Sequence, residues 1–442
     1  MARPLEQDEP ARERAQPPIL LRPPAPGEAP AVDAGPPPVP AGGTFRSLRH
    51  RDYRLMLIGT LFASSGLWLQ QVTINYLAFA LSGSSLVVGL ANGARSVPLL
   101  AAPMGGVMAD RYDKKRLMLS TQLAQMVLTF LFAIVIIGGW LEVWHIFVFS
   151  LLSGVAWALN MPVRQSVMPS TVPREDLMNA MALNSAGFNI TRILGPALAG
   201  VMIARVGAGE NFLIQSVGYL IVAYLVIQLA LPGLRTETKS TGSPMQNLRE
   251  GAVFVWRNGT LRVQMMLALV PVVVALPYIA ILPQFNQEVL DGGAGTFGLL
   301  MSAPGIGAVV ATLLVASMKD NVRYGLLLLG SLFALGLSLI ALALSAQLWV
   351  VLATLVLVGG TQMVYMTASQ TVVQLAIPDA YRGRVMGIYM LNQGMLPLGS
   401  VFAGTLADLY SASIALVIMG GLVSALAVVF YFGARSLRRL GV

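Results

Sequence analysis

Two arginines, Arg95 and Arg192, are the only charged residues deep inside the long apolar stretches of this 442-residue chain. A guanidinium at the centre of a membrane helix costs about 2.5–3.5 kcal/mol on insertion scales, so it needs a wet cavity or a partner. Counted along helices, Arg95 falls roughly 14 Å from the outer end of its stretch and Arg192 roughly 18 Å above the inner end of its own. In an apolar core about 30 Å thick, both sit at a similar depth. No Asp or Glu occurs at that depth to neutralise either one. Two uncompensated guanidiniums in a cavity would select an anionic or catecholate-like ligand. Two other arrangements fit the same pattern. Arg192 could bond backbone carbonyls freed beside Gly195-Pro196, and Arg95 could snorkel outward.

Neutral polar residues recur around these arginines at helical spacing. Gln71 and Asn75 share a face near Trp68. Ser185, Asn189, Arg192 and Pro196 follow at i, i+4, i+7 and i+11. Asn160 and Arg164 form a third pair, and Gln362, Tyr365 and Ser369 a fourth face. Each face serves equally well as a ligand surface or as hydrogen-bond glue between helices. The 22 methionines could add an adaptable lining or simply pack.

The elements that must position these residues are long apolar helices. Apolar types make up 56% of the chain and charged types 11%, where soluble globular proteins carry about a quarter charged residues. Twelve segments approach the roughly 20 apolar residues needed to span a bilayer. They lie near 55–81, 86–109, 117–139, 144–168, 180–204, 210–231, 262–286, 296–318, 323–345, 348–375, 386–408 and 411–434. The runs are too long and too uniform for barrel strands, so the expected fold is an all-α integral membrane protein. With no cysteine there is no disulfide or thiol chemistry. His50 and His145 fall at opposite membrane edges and cannot pair on a metal, and no phosphate-binding Gly-rich loop is present. No metal, cofactor or enzymatic activity is expected.

The net charge of +9 invites a nucleic-acid reading until the charges are placed. With the N-terminus on the inner side, 22 of the 29 basic residues fall on that side and one, Arg205, on the other. Such asymmetry is a topology signal, puts both termini in the cytoplasm, and removes the support for nucleic acid. Residues 1–43 hold 12 of the 26 prolines and are expected to form a disordered cytoplasmic tail rather than a cleavable signal. A central region, 232–261, separates an N-terminal bundle (44–231) from a C-terminal one (262–442), and its 245–256 stretch has the spacing of an amphipathic surface helix. A weak internal repeat supports the division. Pro98 and Pro304 lie 206 residues apart, Pro173 and Pro378 lie 205 apart, and Gly195-Pro196 has a counterpart in Leu396-Pro397.

Two motifs carry a family resemblance. Between the second and third segments stands Gly105-Gly106-Val107-Met108-Ala109-Asp110-Arg111-Tyr112-Asp113-Lys114-Lys115-Arg116. It resembles the signature loop of the major facilitator superfamily, matching at Gly106, Asp110, Arg111, Lys114 and Lys115, with Asp113 in place of a glycine. The sequence Asn160-Met161-Pro162-Val163-Arg164-Gln165, with Pro173-Arg174-Glu175 and Pro378-Asp379-Ala380-Tyr381-Arg382-Gly383-Arg384, is similar to the enterobactin-exporter-like branch that includes drug and macrolide efflux proteins. The resemblance spans about residues 45–435. It implies twelve transmembrane helices in two pseudo-symmetric six-helix bundles, with a substrate site at the midplane between them.

It further implies a secondary active transporter of the bacterial inner membrane, a monomer exporting a small amphipathic or anionic molecule, siderophore or drug-like, with protons as the coupling ion. On that reading Arg95, Arg192, Gln71, Asn75, Asn160, Asn189, Gln362 and Tyr365 are candidate substrate ligands. Gly106, Asp110, Arg111, Lys115, Arg164, Gly195 and Pro196 are candidate gating residues. Thr191 replaces a glycine of the antiporter motif, and no acidic residue stands in the pathway, so the coupling group is left open. A lipid flippase of the same fold and a non-transporting sensor with a recruiting tail are the alternatives.

Overall fold

The computed structural model describes residues 43–101, 113–230, 244–318, 322–378 and 381–433, and among these every regular element is helical. Residues 1–42 of the expected tail and the motif residues Gly106, Asp110 and Arg111 lie outside the described residues. The helices are α1 Arg51–Ser82, α2 Ser85–Ser96, α3 Lys114–Ile137, α4 Val143–Val167, α5 Leu177–Arg205 and α6 Ala208–Gln228. Then follow α7 Pro244–Arg257, α8 Gly259–Val270, α9 Tyr278–Glu288, α10 Ala294–Ala316, α11 Tyr324–Ala343 and α12 Leu348–Ala376. The last three are α13 Arg382–Leu391, α14 Leu396–Leu409 and α15 Ala412–Gly433. Ten spans are long and apolar enough to cross a membrane, with α8 and α9 counted as one continuous span.

The expected segments at 86–109 and 386–408 are not straight single helices. The first passes from α2 into a 3₁₀ turn, Val97–Ala101, and the second is split by a 3₁₀ turn at Asn392–Met395. Proline explains both breaks. Pro98 and Pro397 cannot donate the i→i−4 hydrogen bond, and their rings crowd the preceding turn. The same cause acts between α8 and α9, where Pro271 opens a π-helical turn, Pro271–Ala275, and Pro277 caps the next helix.

Helices α1–α6 pack mainly on one another, α8–α15 do the same, and the two sets meet chiefly along α5 with α10 and α2 with α14. Within the first set, buried amides tie helices together where apolar packing alone gives little direction in lipid. Gln70 Nε2 donates to Ser153 Oγ at 2.6 Å, Asn160 Nδ2 to Thr121 Oγ1 at 2.7 Å, and Asn211 Nδ2 to Thr73 Oγ1 at 2.7 Å. The interhelical role left open for Asn160 is thus filled. In the second set, Tyr365 donates to the Leu267 carbonyl at 2.9 Å and Gln264 to Ser369 at 2.9 Å.

The described close approaches between the sets run from mid-helix to the end where α1 finishes and α2 begins, termed the far end. A Cβ on Gly200 of α5 would lie 2.7 Å from Gly298 Cα, and one on Gly298 would lie 2.7 Å from Gly200 Cα. On the other seam, a Cβ on Gly404 of α14 would lie 2.5 Å from Leu86 Cα. Gly89 of α2 meets the Ser400 carbonyl in the same way. Only glycine permits such backbone contact. At this far end the Asp408 carboxylate caps the start of α2, accepting from Ser84 Oγ, from Ser85 N at 2.7 Å and from Leu86 N at 3.2 Å.

At the opposite end α7 is helical as its spacing predicts, and it packs on α13. Glu250 pairs with Arg384 at 2.9 Å, and Phe254 stacks on Tyr381 with centroids 4.3 Å apart.

Candidate functional site

A cavity of about 300 Å³ lies where the two sets of helices face each other at mid-depth. Leu67, Trp68 and Gln71 of α1, Asn92, Arg95 and Ser96 of α2, and Trp157 of α4 form one wall. Pro277, Ala280, Met301 and Ser400 form much of the other. Most of this surface is apolar, with a few convergent polar groups, as binding cavities usually are.

Arg95 is the one cation of this lining. Its Nη1 donates to Gln71 Oε1 at 2.5 Å. Gln71 Nε2 in turn donates to Asn92 Oδ1 at 2.6 Å and to Asn75 Oδ1 at 3.2 Å. The guanidinium is therefore held by a neutral amide and does not snorkel away. Among the described residues no carboxylate pairs with it. A guanidinium carries five N–H donors, and its bond to Gln71 uses one; the others have no hydrogen-bond partner among the described residues. Asn92 precedes Arg95 by three residues on the same helix face. That spacing was the signal that could have added it to the candidates.

Other candidates are placed elsewhere. Asn75 is buried behind Gln71, with its Nδ2 unpartnered. Arg192, expected as a substrate ligand, does not line this cavity; it makes no hydrogen bond among the described residues, so the alternative in which it bonds carbonyls beside Gly195-Pro196 is not seen either. Its charge instead lies within electrostatic reach of the buried Tyr278 phenol. Asn189 bonds back to the Ser185 carbonyl at 3.0 Å, an intrahelical contact. Tyr365 is 2% exposed and bound into the core of the second set, which places it away from the cavity. Gln362 is half-buried on α12 and lines neither described cavity.

Asn160 and Arg164 line a second cavity of about 120 Å³, nearer the start of α1. Thr60, Ser64, Met161, Met168, Asn184 and Phe188 complete much of it. Trp157 belongs to both cavities, and the Trp68 and Phe188 rings, 6.2 Å apart, stand one in each. Arg164 Nη2 donates to Thr60 Oγ1 at 2.7 Å and to the Met56 carbonyl at 3.1 Å.

Of the candidate gating residues, Gly195 lets α5 approach α1, since a Cβ there would sit 2.7 Å from Trp68 Cβ. Pro196 follows inside α5, and its carbonyl faces Gly298. Lys115 Nζ caps the end of α6, donating to the Ile227 and Leu229 carbonyls at 2.8 and 2.7 Å, where a cation complements the helix dipole.

With this geometry in place, comparison with known proteins is informative. Residues 42–439 match the family described as transmembrane secretion effector, a major facilitator group. The chain is 26% identical over 376 residues to the staphyloferrin A transporter of Staphylococcus aureus, covering 84% of this chain and 94% of that protein. It is 26% identical over 365 residues to the multidrug efflux pump Tap of Mycolicibacterium fortuitum, covering 80% and 88%. In fold it is similar to the crystal structure of the nucleoside transporter NupG, with a TM-score of 0.69 at 14% identity, covering 88% of this chain and 100% of that one.

Proposed function

The chain belongs to the transmembrane secretion effector family of the major facilitator superfamily, and from that premise we propose that it exports a small amphipathic anion across the bacterial inner membrane. It is a multi-pass membrane transporter with relatives named as efflux pumps and as a siderophore transporter. The finer reading has twelve spans in two six-helix bundles, both termini cytoplasmic, and substrate moved by rocking one bundle against the other. That reading counts the stretches 86–109 and 386–408 as the two spans beside the ten that are long and apolar enough to cross a membrane. The concentration of glycine contacts and the Asp408 cap at the far end support a state closed to the outside and open to the cytoplasm.

The single observation that carries the substrate class is Arg95, a cation held only by neutral amides in a largely apolar cavity between the two sets. A carboxylate or similar anion can take two parallel N–H bonds from such a group. The apolar remainder of the ligand would lie against Trp68, Trp157 and Met301. A bond to a charged group contributes about 1.5–3 kcal/mol. Arg95→Gln is therefore expected to weaken transport of anionic amphipaths about tenfold or more in proteoliposomes, and of neutral analogues of equal size much less. Equal loss for both classes would make Arg95 structural. An imposed proton gradient in the same vesicles, read with a trapped pH dye, tests coupling. Substrate-dependent proton movement is expected, and its absence would sink antiport.

A further inference from the structure

Arg164 is a buried cation that the Arg95 cavity does not use. Its Nε and Nη2 bond Thr60 Oγ1 and the Met56 carbonyl, all neutral acceptors, while Nη1 is buried with no acceptor. No acidic residue pairs with it among the described residues. Nη1 is thus a buried donor of a charged group with no acceptor among the described residues, which is unfavourable until an acceptor meets it. The cavity beside it adds amide groups from Asn160, Asn184 and Gln165, and methionine and aromatic surface from Met161, Met168 and Phe188.

The position is as informative as the chemistry. One stripe of α1 (Met56, Thr60, Ala63, Ser64, Leu67, Trp68 and Gln71) runs through both cavities at i, i+4, i+7, i+8, i+11, i+12 and i+15. Thr60 holds Arg164 and Gln71 holds Arg95, eleven residues further along. At 1.5 Å per residue the two cations stand roughly 16 Å apart along the helix. Trp157 lies in the wall of both cavities and is common to them.

We propose that Arg164 is a second anion-binding site, which takes the carboxylate or sulfonate group of an amphipathic ligand at the termini-facing mouth before it passes Trp157 to Arg95. Only the order of loading rests on the export reading; the site itself stands on the unmet guanidinium Nη1 and the cavity beside it. The ligand class is an organic anion with an apolar body. A bare inorganic anion would leave the methionine and aromatic wall unfilled.

The test uses purified full-length protein in nanodiscs with 4-nitrobenzoate, whose nitroaromatic ring quenches tryptophan, and neutral 4-nitrobenzamide as its isostere. The wild-type quenching isotherm should show two saturable phases for the benzoate. Arg164→Gln should remove one phase, at least tenfold in apparent affinity, and leave the other. Arg95→Gln should do the reverse, and Arg164→Lys should retain both. Because Arg164→Gln also cuts two ties to α1, Ser64→Leu provides an independent arm. It fills the small cavity while keeping those bonds, and it should remove the same phase.

A single wild-type phase that Arg164→Gln leaves unchanged would overturn the site. So would equal loss of benzoate and benzamide, or retention of both phases in Ser64→Leu. If Arg95→Gln changes neither binding nor transport, the proposed function falls while the Arg164 arm still gives its own answer. Chloride or sulfate displacing the Arg164 phase at low millimolar concentration would overturn the organic-anion assignment.

Discussion

Gly200→Leu is expected to cut transport about tenfold or more and to leave the far end of the protein open. At the crossing of α5 and α10, a Cβ on Gly200 would stand 2.7 Å from both Gly298 Cα and the Ala294 carbonyl oxygen. Neither neighbour is a flexible side chain that could move aside, so the helices themselves must separate. The facing residue has no slack either, since a Cβ on Gly298 meets Gly200 Cα and the Pro196 carbonyl at 2.7 Å. Forcing bulk into such a contact costs about 1–3 kcal/mol. On the proposed rocking mechanism the cost falls on the far-end-closed state, in which the two glycines meet. A differential of that size shifts the balance of two states by roughly 5- to 150-fold.

The chain lacks cysteine, which makes the measurement direct. Ser96→Cys or Ser400→Cys places one thiol in the central cavity, and a membrane-impermeant maleimide reports which side can reach it. Gly200→Leu should raise far-side labelling and lower labelling from the side of the termini, with transport down about tenfold or more. Gly200→Ala should show the same sign with a smaller effect. Gly421→Leu, at a glycine with nothing within 4 Å of its added Cβ, should be neutral. Unchanged labelling in a well-folded Gly200→Leu protein would remove the α5–α10 seam from the gating mechanism.

The helices were readable from the chain because lipid imposes a one-dimensional rule: about 20 apolar residues in a row must be a span. Proline alone did not mark where the spans break: Pro98 and Pro397 stand at breaks, but Pro196 leaves α5 unbroken, and the π-turn at Pro271 gave no separate signal. Arg95 was legible for the same reason, since a charge in an apolar run must be accommodated somewhere. Its partner was not assigned from the sequence. Gln71 precedes it by 24 residues on another helix, and helical spacing groups residues only within one helix. That limit also separated Asn160 and Arg164 from Arg95. They share a face of α4, but that face lines a second cavity, with Trp157 common to the linings of both. Tyr365 shows the opposite error of the same method, a polar face on α12 that closes on Leu267 rather than on a ligand. Asp408 looked like an ordinary helix-end carboxylate because its donors are 322–324 residues away in the chain.

That distant capping contact leads to the second large effect, expected from Asp408→Ala. The carboxylate accepts from the Ser84 hydroxyl and from the Ser85 and Leu86 amides. These amides belong to the first turn of α2, which has no intrahelical acceptors and carries the positive end of the helix dipole. Ser84 already caps Val87 N with its own side chain at 3.2 Å, so Asp408 supplies what the local sequence does not. The contact bridges the two sets of helices. It is backed by Gln284, which accepts from Ser85 Oγ at 2.6 Å and donates to the Ala407 carbonyl at 3.1 Å and to Glu288 at 2.6 Å. Glu288 in turn accepts from Ala412 N at the start of α15.

Removing the Asp408 carboxylate leaves two backbone donors and a hydroxyl to find water, at about 1–3 kcal/mol against the closed far end. Far-side maleimide labelling of Ser400→Cys should then rise severalfold while the fold is kept, since neither set loses an internal contact of its own. Asp408→Asn keeps one acceptor oxygen and should fall between wild type and Asp408→Ala. Gln284→Ala should lie on the Asp408→Ala side, because it removes the second bridge to Ser85. Gly200→Leu and Asp408→Ala weaken different seams of the same closed end, α5 with α10 and α2 with α14. The double variant should therefore show near-additive shifts if the seams open independently. No further gain over Gly200→Leu alone would mean that the two seams release as one unit. Wild-type labelling in Asp408→Ala would reduce the cap to a surface contact with no part in holding that end shut.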